Sequence, residues 1–273
     1  MARKTQRTSP LFRALLKHWR GARGMSQLDL AVAANVSGRH ISFLETGRAQ
    51  PSRDMILRLG VSLDLDLRDQ NELLAAAGLQ PVFPESLPEE GLAAPVERAL
   101  ERMLQQQEPY PMAIMNRVYD LVRMNQATAR VMSLFVAQPG ELDAPPNAYR
   151  SIFDPRQARP FIVDWPLVAR DALARLQREA LGRPQDDELR ALISELLRYP
   201  DVPADWHQPD LDRTMEPMLT FALARDGVRL EFLTTLTVFN EPRDVTLQEL
   251  RIESYFPVDP ETEAFCRKLA EDA

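Results

Sequence analysis

The sequence predicts two domains: an all-α, five-helix domain over residues 1–80, a linker over 81–95, and an α+β domain with an antiparallel sheet over 96–273. Three observations carry that expectation. A chain of 273 residues exceeds one typical domain. Apolar residues recur at three- and four-residue spacing, with helix-capping residues between the repeats, as far as residue 78, where prolines interrupt them. Beyond residue 95, short alternating runs lie on either side of a helical middle, the order of an α+β domain and not of a βαβ series.

In chain order, the five helices are marked by Leu11, Leu15, Leu16 and Trp19; by Leu28, Ala31 and Val32; by Ile41 and Leu44; by Ile56, Leu57 and Leu59; and by Leu73, Leu74 and Ala77. Ser9, Ser26, Ser37 and Ser52, with Asp66 or Asp69, stand where N-caps belong, and Gly24, Gly47 and Gly78 where helices or turns end. Residues 78–95 hold four prolines and two glycines and cannot continue a helix. A helix over 96–107 opens the second domain. Strand-like runs around a tight turn at Asn116-Arg117 follow, then a helix over 126–136 and two longer ones over 165–181 and 187–198. Strands are expected over 215–225, 228–239 and 246–256, the first two joined by the hairpin turn Asp226-Gly227, and Phe265 and Leu269 place a last helix against the sheet.

Composition narrows the function. At 45% apolar and 27% charged residues the chain is neither disordered nor fibrous. The longest apolar runs, such as 131–137, fall far short of a membrane span, and the N-terminus lacks a signal-peptide core, so a cytoplasmic location with no membrane contact is expected. A single cysteine, Cys266, and the scattered His18, His40 and His207 give no basis for a disulfide or a structural metal, and no cofactor is expected. The net charge of −7 conceals an asymmetry: residues 1–58 carry 11 Lys and Arg against three acids, Asp29, Glu45 and Asp54, a net of +8. The other 22 basic and 37 acidic residues leave 59–273 at −15. A basic end suits a polyanion partner, and a solvated basic face has the same composition.

Residues 24–51 resolve into two helices joined by a short turn at Asn35-Val36, the helix-turn-helix arrangement. Leu28, Leu30, Ala31 and Ala34 suit packing against the next helix; Ile41 and Leu44 face inward, leaving Gly38, Arg39, His40, Ser42 and Phe43 outside. The stretch 10–78 resembles the lambda repressor and Cro-like, or xenobiotic-response-element, regulators, with Ser26-Gln27, Leu30-Ala31, Val36-Ser37, Ile41-Ser42, Leu44-Glu45, Gly47 and Pro51 in that family's order and spacing. The resemblance implies a double-stranded DNA operator bound by a homodimer, with Gln27 on a phosphate and Ser37, Arg39, His40 and Phe43 on the recognition helix. Arg39 offers the planar fork that guanine O6 and N7 accept. His40 can donate to a base or a phosphate, while Phe43 can only meet a thymine methyl or pack. Arg48 and Arg53 suit positioning on the DNA backbone, Arg3 and Arg7 ordinary surface, and Glu45 a structural pair with Arg48 or Arg53.

The second domain carries no Gly-rich phosphate loop, nucleophile elbow or His-x-x-x-His pair, so it reads as a binder and not as an enzyme. Asp186-Asp187 reads as a helix start and His207 as structural. Residues 97–258 resemble the ligand-binding domain of MmyB-like transcription regulators. The landmarks are Pro111-Met112-Ala113, Asn116-Arg117, Asp120, Met124-Asn125-Gln126-Ala127, Asn147-Ala148-Tyr149-Arg150, Ile152-Phe153-Asp154-Pro155 and Val163-Asp164-Trp165. That resemblance implies a PAS-like curved sheet with flanking helices around a pocket for a small, apolar, fatty-acid-like effector. Candidates for its lining are Met112, Ile114, Leu121, Phe221, Phe232, Leu236 and Tyr255 from the strands, with Leu134, Phe135, Phe153 and Trp165 from the helical middle; an ordinary core needs the same residues. Asn116, Arg117 and Arg150 are the candidate carboxylate anchors, Arg150 with Asp154 or Asp164 as alternative partners. A dimeric, sequence-specific regulator with a small-molecule sensor follows. Its rivals are an enzyme fused to a DNA-binding module and a ligand-independent regulator that uses the second domain for dimerisation or protein contacts.

Overall fold

The computed structural model describes residues 9–86, 91–138, 146–183, 186–208 and 220–272; Arg3, Arg7, the linker residues 87–90 and the expected strand residues 215–219 lie outside them. The chain divides into two compact units, Met1–Gly91 with Phe239–Gln248, and Leu92–Val238 with Glu249–Ala273.

The first unit is built from α1 (Pro10–Ala22), α2 (Gln27–Ala33), α3 (Gly38–Thr46), α4 (Arg53–Ser62) and α5 (Leu67–Ala76). Local chemistry starts and stops them. Ser9, Ser26, Ser37 and Ser52 each accept a first-turn backbone N–H, and Ser26 with Asp29 completes a reciprocal capping box. Gly47 ends α3 at φ 78°, where an L side chain would be strained. Asp66 makes no side-chain cap on α5. Instead the Leu67 N–H donates to Gln248 Oε1 at 2.7 Å, brought in by the segment Phe239–Gln248. That segment is fastened by Ser86 Oγ donating to Asp244 at 2.8 Å, Thr246 Oγ1 donating to Ser86 O at 2.9 Å, and Val245 N–H donating to Pro84 O at 2.8 Å.

Phe12, Leu16, Trp19, Leu30, Ile41, Leu44, Ile56, Leu59, Leu73 and Leu74 form one core. Leu28, expected to pack, is 66% exposed, and Val32 is 73% exposed. With only seven residues, α2 turns a single face inward, that of Leu30 and Ala31 continuing to Ala34, and residues 28 and 32 share the opposite one. At Gly60 a Cβ would stand 2.7 Å from Gln70 Cγ, so α4 and α5 meet where only glycine fits.

The second unit begins with α6 (Ala94–Gln107) and the hairpin of β1 (Met112–Met115) and β2 (Leu121–Met124). Helices α7 (Gln126–Leu134), α8 (Ala148–Phe153), α9 (Trp165–Gly182) and α10 (Asp187–Leu196) follow. The chain then forms β3 (Thr220–Arg225) and β4 (Val228–Thr237), passes through the short α11 (Val245–Glu249), which up to Gln248 belongs to the first unit, and ends in β5 (Arg251–Pro257) and α12 (Pro260–Glu271). The five strands make one antiparallel sheet in the order β2-β1-β5-β4-β3, consistent with a PAS-like domain. Asp226 and Gly227 turn the β3–β4 hairpin at φ 50° and 82°. Two expectations need correction. The strand expected over 246–256 starts only at Arg251, because Asp244 accepts the Leu247 N–H and winds 245–249 into a helix. The sequence pattern also missed α8, which Asn147 starts by accepting the Tyr149 and Arg150 N–H groups.

Two apolar clusters fill this unit. One joins Met115, Tyr119, Tyr149 and Phe153 to Leu173, Leu176, Leu192 and Trp206 of the helical layer. The other joins Leu223, Leu230 and Phe232 of the sheet to Val131, Phe135 and Cys266 of the helices packed on it, and burial pushes the Cys266 thiol up to about 11. Among the described residues no helix is long and apolar enough to cross a membrane.

Candidate functional site

Helix α3 is fixed from within. The Glu45 carboxylate, 4% exposed, accepts Arg20 Nε at 2.6 Å and Nη2 at 3.2 Å, and Gln27 Nε2 at 2.7 Å, which ties α1 and α2 to α3. Hydrogen bonding to Glu45 raises the Arg20 pKa above the ordinary arginine value. The expected pairing of Glu45 with Arg48 or Arg53 is thereby corrected: those residues follow the α3 C-cap, whereas α1 packs against α3 and brings Arg20 to the carboxylate.

The outer face of α3 is uncommitted. Ser37, Arg39, Arg48 and Arg53 are exposed, and Gln27, Gly38, His40, Ser42 and Phe43 half-buried. Among the described residues the Arg39, Arg48 and Arg53 guanidiniums make no hydrogen bond or ion pair. Arg23, by contrast, donates to Leu63 O at 2.8 Å and Asp64 O at 2.7 Å. Arg39 and Arg48 hold their guanidinium carbons 5.1 and 5.9 Å from the Phe43 ring centroid. A Cβ at Gly38 would meet Leu28 Cδ1 at an ordinary 3.9 Å, so packing does not demand glycine there. Such a surface presents donors to phosphates and base edges.

In the second unit a polar cluster lies between the sheet and helices α8 and α9. Tyr255 Oη donates to Glu253 at 2.9 Å, and Tyr119 Oη donates to Glu179 at 2.8 Å. Arg251 pairs with Glu179 and sits 4.6 Å from the Tyr119 ring, which meets the Tyr149 ring edge-on at 4.5 Å. Burial pushes the Tyr149 and Tyr255 phenols well above their usual range. It raises Glu253 too, against the opposing pull of the Tyr255 hydrogen bond and of Arg175. Burial works against the Arg175 charge, yet Tyr149, Tyr119, Glu253 and Glu179 hold its pKa above the ordinary value. Among the described residues the Arg175 guanidinium makes no hydrogen bond or ion pair. Sequence reasoning missed Arg175, which resembles Arg170 and Arg178 on a charged helix face. Its one signal is its place beside Leu173, Ala174, Leu176 and Gln177, all buried.

The three expected anchors are engaged elsewhere. Arg117 pairs with Asp186, with Glu188 at 2.7 Å and with Glu249 at 4.0 Å. Arg150 donates to Glu195 at 2.8 and 3.0 Å and to Asp120 at 3.3 Å, while Asp154 is taken by Arg156 at 2.8 Å. Asn116 Oδ1 accepts the Val118 and Asp120 N–H groups at 3.0 and 2.9 Å and shapes the β1–β2 turn. Acids distant in sequence neutralise both arginines.

Of the apolar candidates, Leu134, Phe135, Trp165, Phe221 and Phe232 gather with Tyr255, and Leu121 and Phe153 with Tyr149. Leu236, opposite Glu253 in the β4–β5 register, is 43% exposed. Met112 and Ile114 pair with Ser254 and Ile252, which alternation puts on the other sheet face from Glu253 and Tyr255. The structure does not bring those two residues to the cluster.

No curated protein matches the chain. Among solved structures it is similar to one described as an RNA-binding light-oxygen-voltage receptor, at 12% identity and a TM-score of 0.27, over 95% of this chain and 61% of that one. At that TM-score the likeness says nothing about this fold. A family model described as a helix-turn-helix domain matches residues 11–73, and one described as the MmyB-like transcription regulator ligand binding domain matches residues 96–269. The chain therefore belongs to the MmyB-like transcription regulators, with a helix-turn-helix DNA-binding domain ahead of a ligand-binding domain.

Proposed function

We propose that this regulator binds a specific double-stranded operator as a homodimer and that its second unit senses a small molecule with an apolar body and an acidic head, of the fatty-acid class. The observation that carries the DNA reading is the set of uncommitted guanidiniums, Arg39, Arg48 and Arg53, on and just beyond a helix whose inner face is locked by Glu45. Arg39 reads a guanine edge; Gln27, Ser37, Gly38, His40, Ser42 and Phe43 border it; Arg48 and Arg53 meet phosphates. The ligand reading is supported by Arg175, a desolvated cation with open donors beside two phenols. Glu253 and Tyr255 lie in the same cluster, and burial raises the pKa of each. Arg175 thus takes over the anchor role first expected of Asn116, Arg117 and Arg150.

The test titrates lipid-stripped full-length protein with a long-chain saturated fatty acid and with its methyl ester, read by tryptophan fluorescence. Arg175→Ala should weaken the acid by about ten- to hundredfold, the worth of a charge-assisted hydrogen bond, and leave the ester unchanged. Equal affinities of acid and ester for the unaltered protein, or no binding of either, would remove the acidic effector from the proposal.

A further inference from the structure

Phe43 is an aromatic side chain on the face of α3 that points away from the core. It is half-buried, yet it is absent from the apolar cluster of the first unit and from the partly buried side chains packed on that cluster. Its neighbours are guanidiniums. Arg39 lies four residues earlier on the same helix face, with its guanidinium carbon 5.1 Å from the ring centroid. Arg48 is folded back beyond Gly47, its N–H donating to Phe43 O at 2.8 Å and its guanidinium carbon 5.9 Å from the ring; the Ala49 N–H donates to the same carbonyl at 3.2 Å. Both guanidiniums therefore lie beside the Phe43 ring, and the backbone bond to Phe43 O holds the Arg48 main chain close to it.

Contact with an aromatic face occupies the flat side of a guanidinium and leaves its in-plane N–H groups available. Those N–H groups are what guanine O6 and N7 accept, or a phosphate. A long arginine side chain otherwise loses rotamer freedom on binding, and a restraint already present in the free protein reduces that loss. From this geometry we infer that Phe43 is a positioning residue for DNA recognition: its ring presets the Arg39 fork for base reading and draws Arg48 to the adjacent backbone. The inference rests on the DNA reading above. It differs from a direct thymine-methyl contact because Phe43 acts through Arg39 and not on a base.

The experiment first selects the best-bound duplex from a random pool with full-length protein, then measures dissociation constants for that duplex and for copies altered one base pair at a time. Phe43→Leu keeps an apolar side chain and removes the ring. It should reduce discrimination about two- to fivefold at the one base pair where Arg39→Ala reduces it most, the worth of an exposed cation–π contact. Phe43→Tyr should restore it, and Phe43→Leu placed on Arg39→Ala should cost no further discrimination at that pair. Circular dichroism melting of each variant identifies any loss that comes from unfolding. Additive losses in the double variant, or a loss confined to a different base pair carrying a thymine, would overturn the positioning role and leave DNA reading intact. Enrichment of no duplex at all would overturn the DNA reading, and this inference with it.

Discussion

Arg39 and Arg53 are both exposed and, among the described residues, neither guanidinium makes a hydrogen bond or ion pair, but they stand at different places, one within the first turn of α3 and the other opening α4. Arg39→Ala should cost about 1 to 3 kcal/mol at one base pair and relax preference there, whereas Arg53→Ala should weaken all duplexes alike; competition binding across single-base variants separates the two. Arg20 belongs to a different class. Arg20→Met would leave the buried Glu45 carboxylate with Gln27 alone and should lower stability by about 3 kcal/mol in urea unfolding, the scale of a broken buried pair. Which side chains face outward on α3 was legible in the sequence, because Ser37 and Gly47 fix the register of the nine residues between them. The partner of Glu45 was not, since Arg20 is 25 residues away and only the packing of α1 brings it near. Arg175 was hidden for the same reason: Tyr119, Tyr149 and Glu253, which act on it, come from distant parts of the chain.

At the level of elements, caps decide where the sequence can be read. Four of the five helices of the first unit start at a serine that caps its own first turn, and the pattern of apolar residues locates them. Helix α5 takes its cap from Gln248, 181 residues away along the chain, which no local signal announces. Gln248→Ala should destabilise the first unit by about 1 kcal/mol, seen as faster hydrogen exchange at the start of α5. The strand misplaced over 246–256 has a local cause instead: its alternating residues fit a strand, but Asp244, three residues earlier, accepts the Leu247 N–H and starts a helix. In β5, Glu253 carries a pH dependence. Burial raises its folded pKa, so the neutral carboxyl contributes stability that is present below the ordinary carboxylate range and is lost as pH rises through the raised value. Urea midpoints of the full-length protein should therefore fall with rising pH across that interval relative to Glu253→Gln, and parallel profiles for the two proteins would remove Glu253 as the cause.

The whole molecule carries opposite charges in its two parts, +8 over residues 1–58 and −15 over the remainder, within a net of −7. Duplex affinity should consequently fall log-linearly with salt, with a slope set by the number of neutralised phosphates, although the protein as a whole is acidic. A homodimer must bring two recognition helices to successive turns of one DNA face, roughly 34 Å apart. A ligand changes operator affinity only if it binds the DNA-competent arrangement and its alternative with different strength. The most direct test of the account is the dissociation constant of full-length protein for its selected duplex, at fixed salt, with and without a saturating long-chain fatty acid. The account predicts a change of about 5- to 150-fold that Arg175→Ala abolishes. An unchanged constant, in a sample where the acid is demonstrably bound, would contradict it.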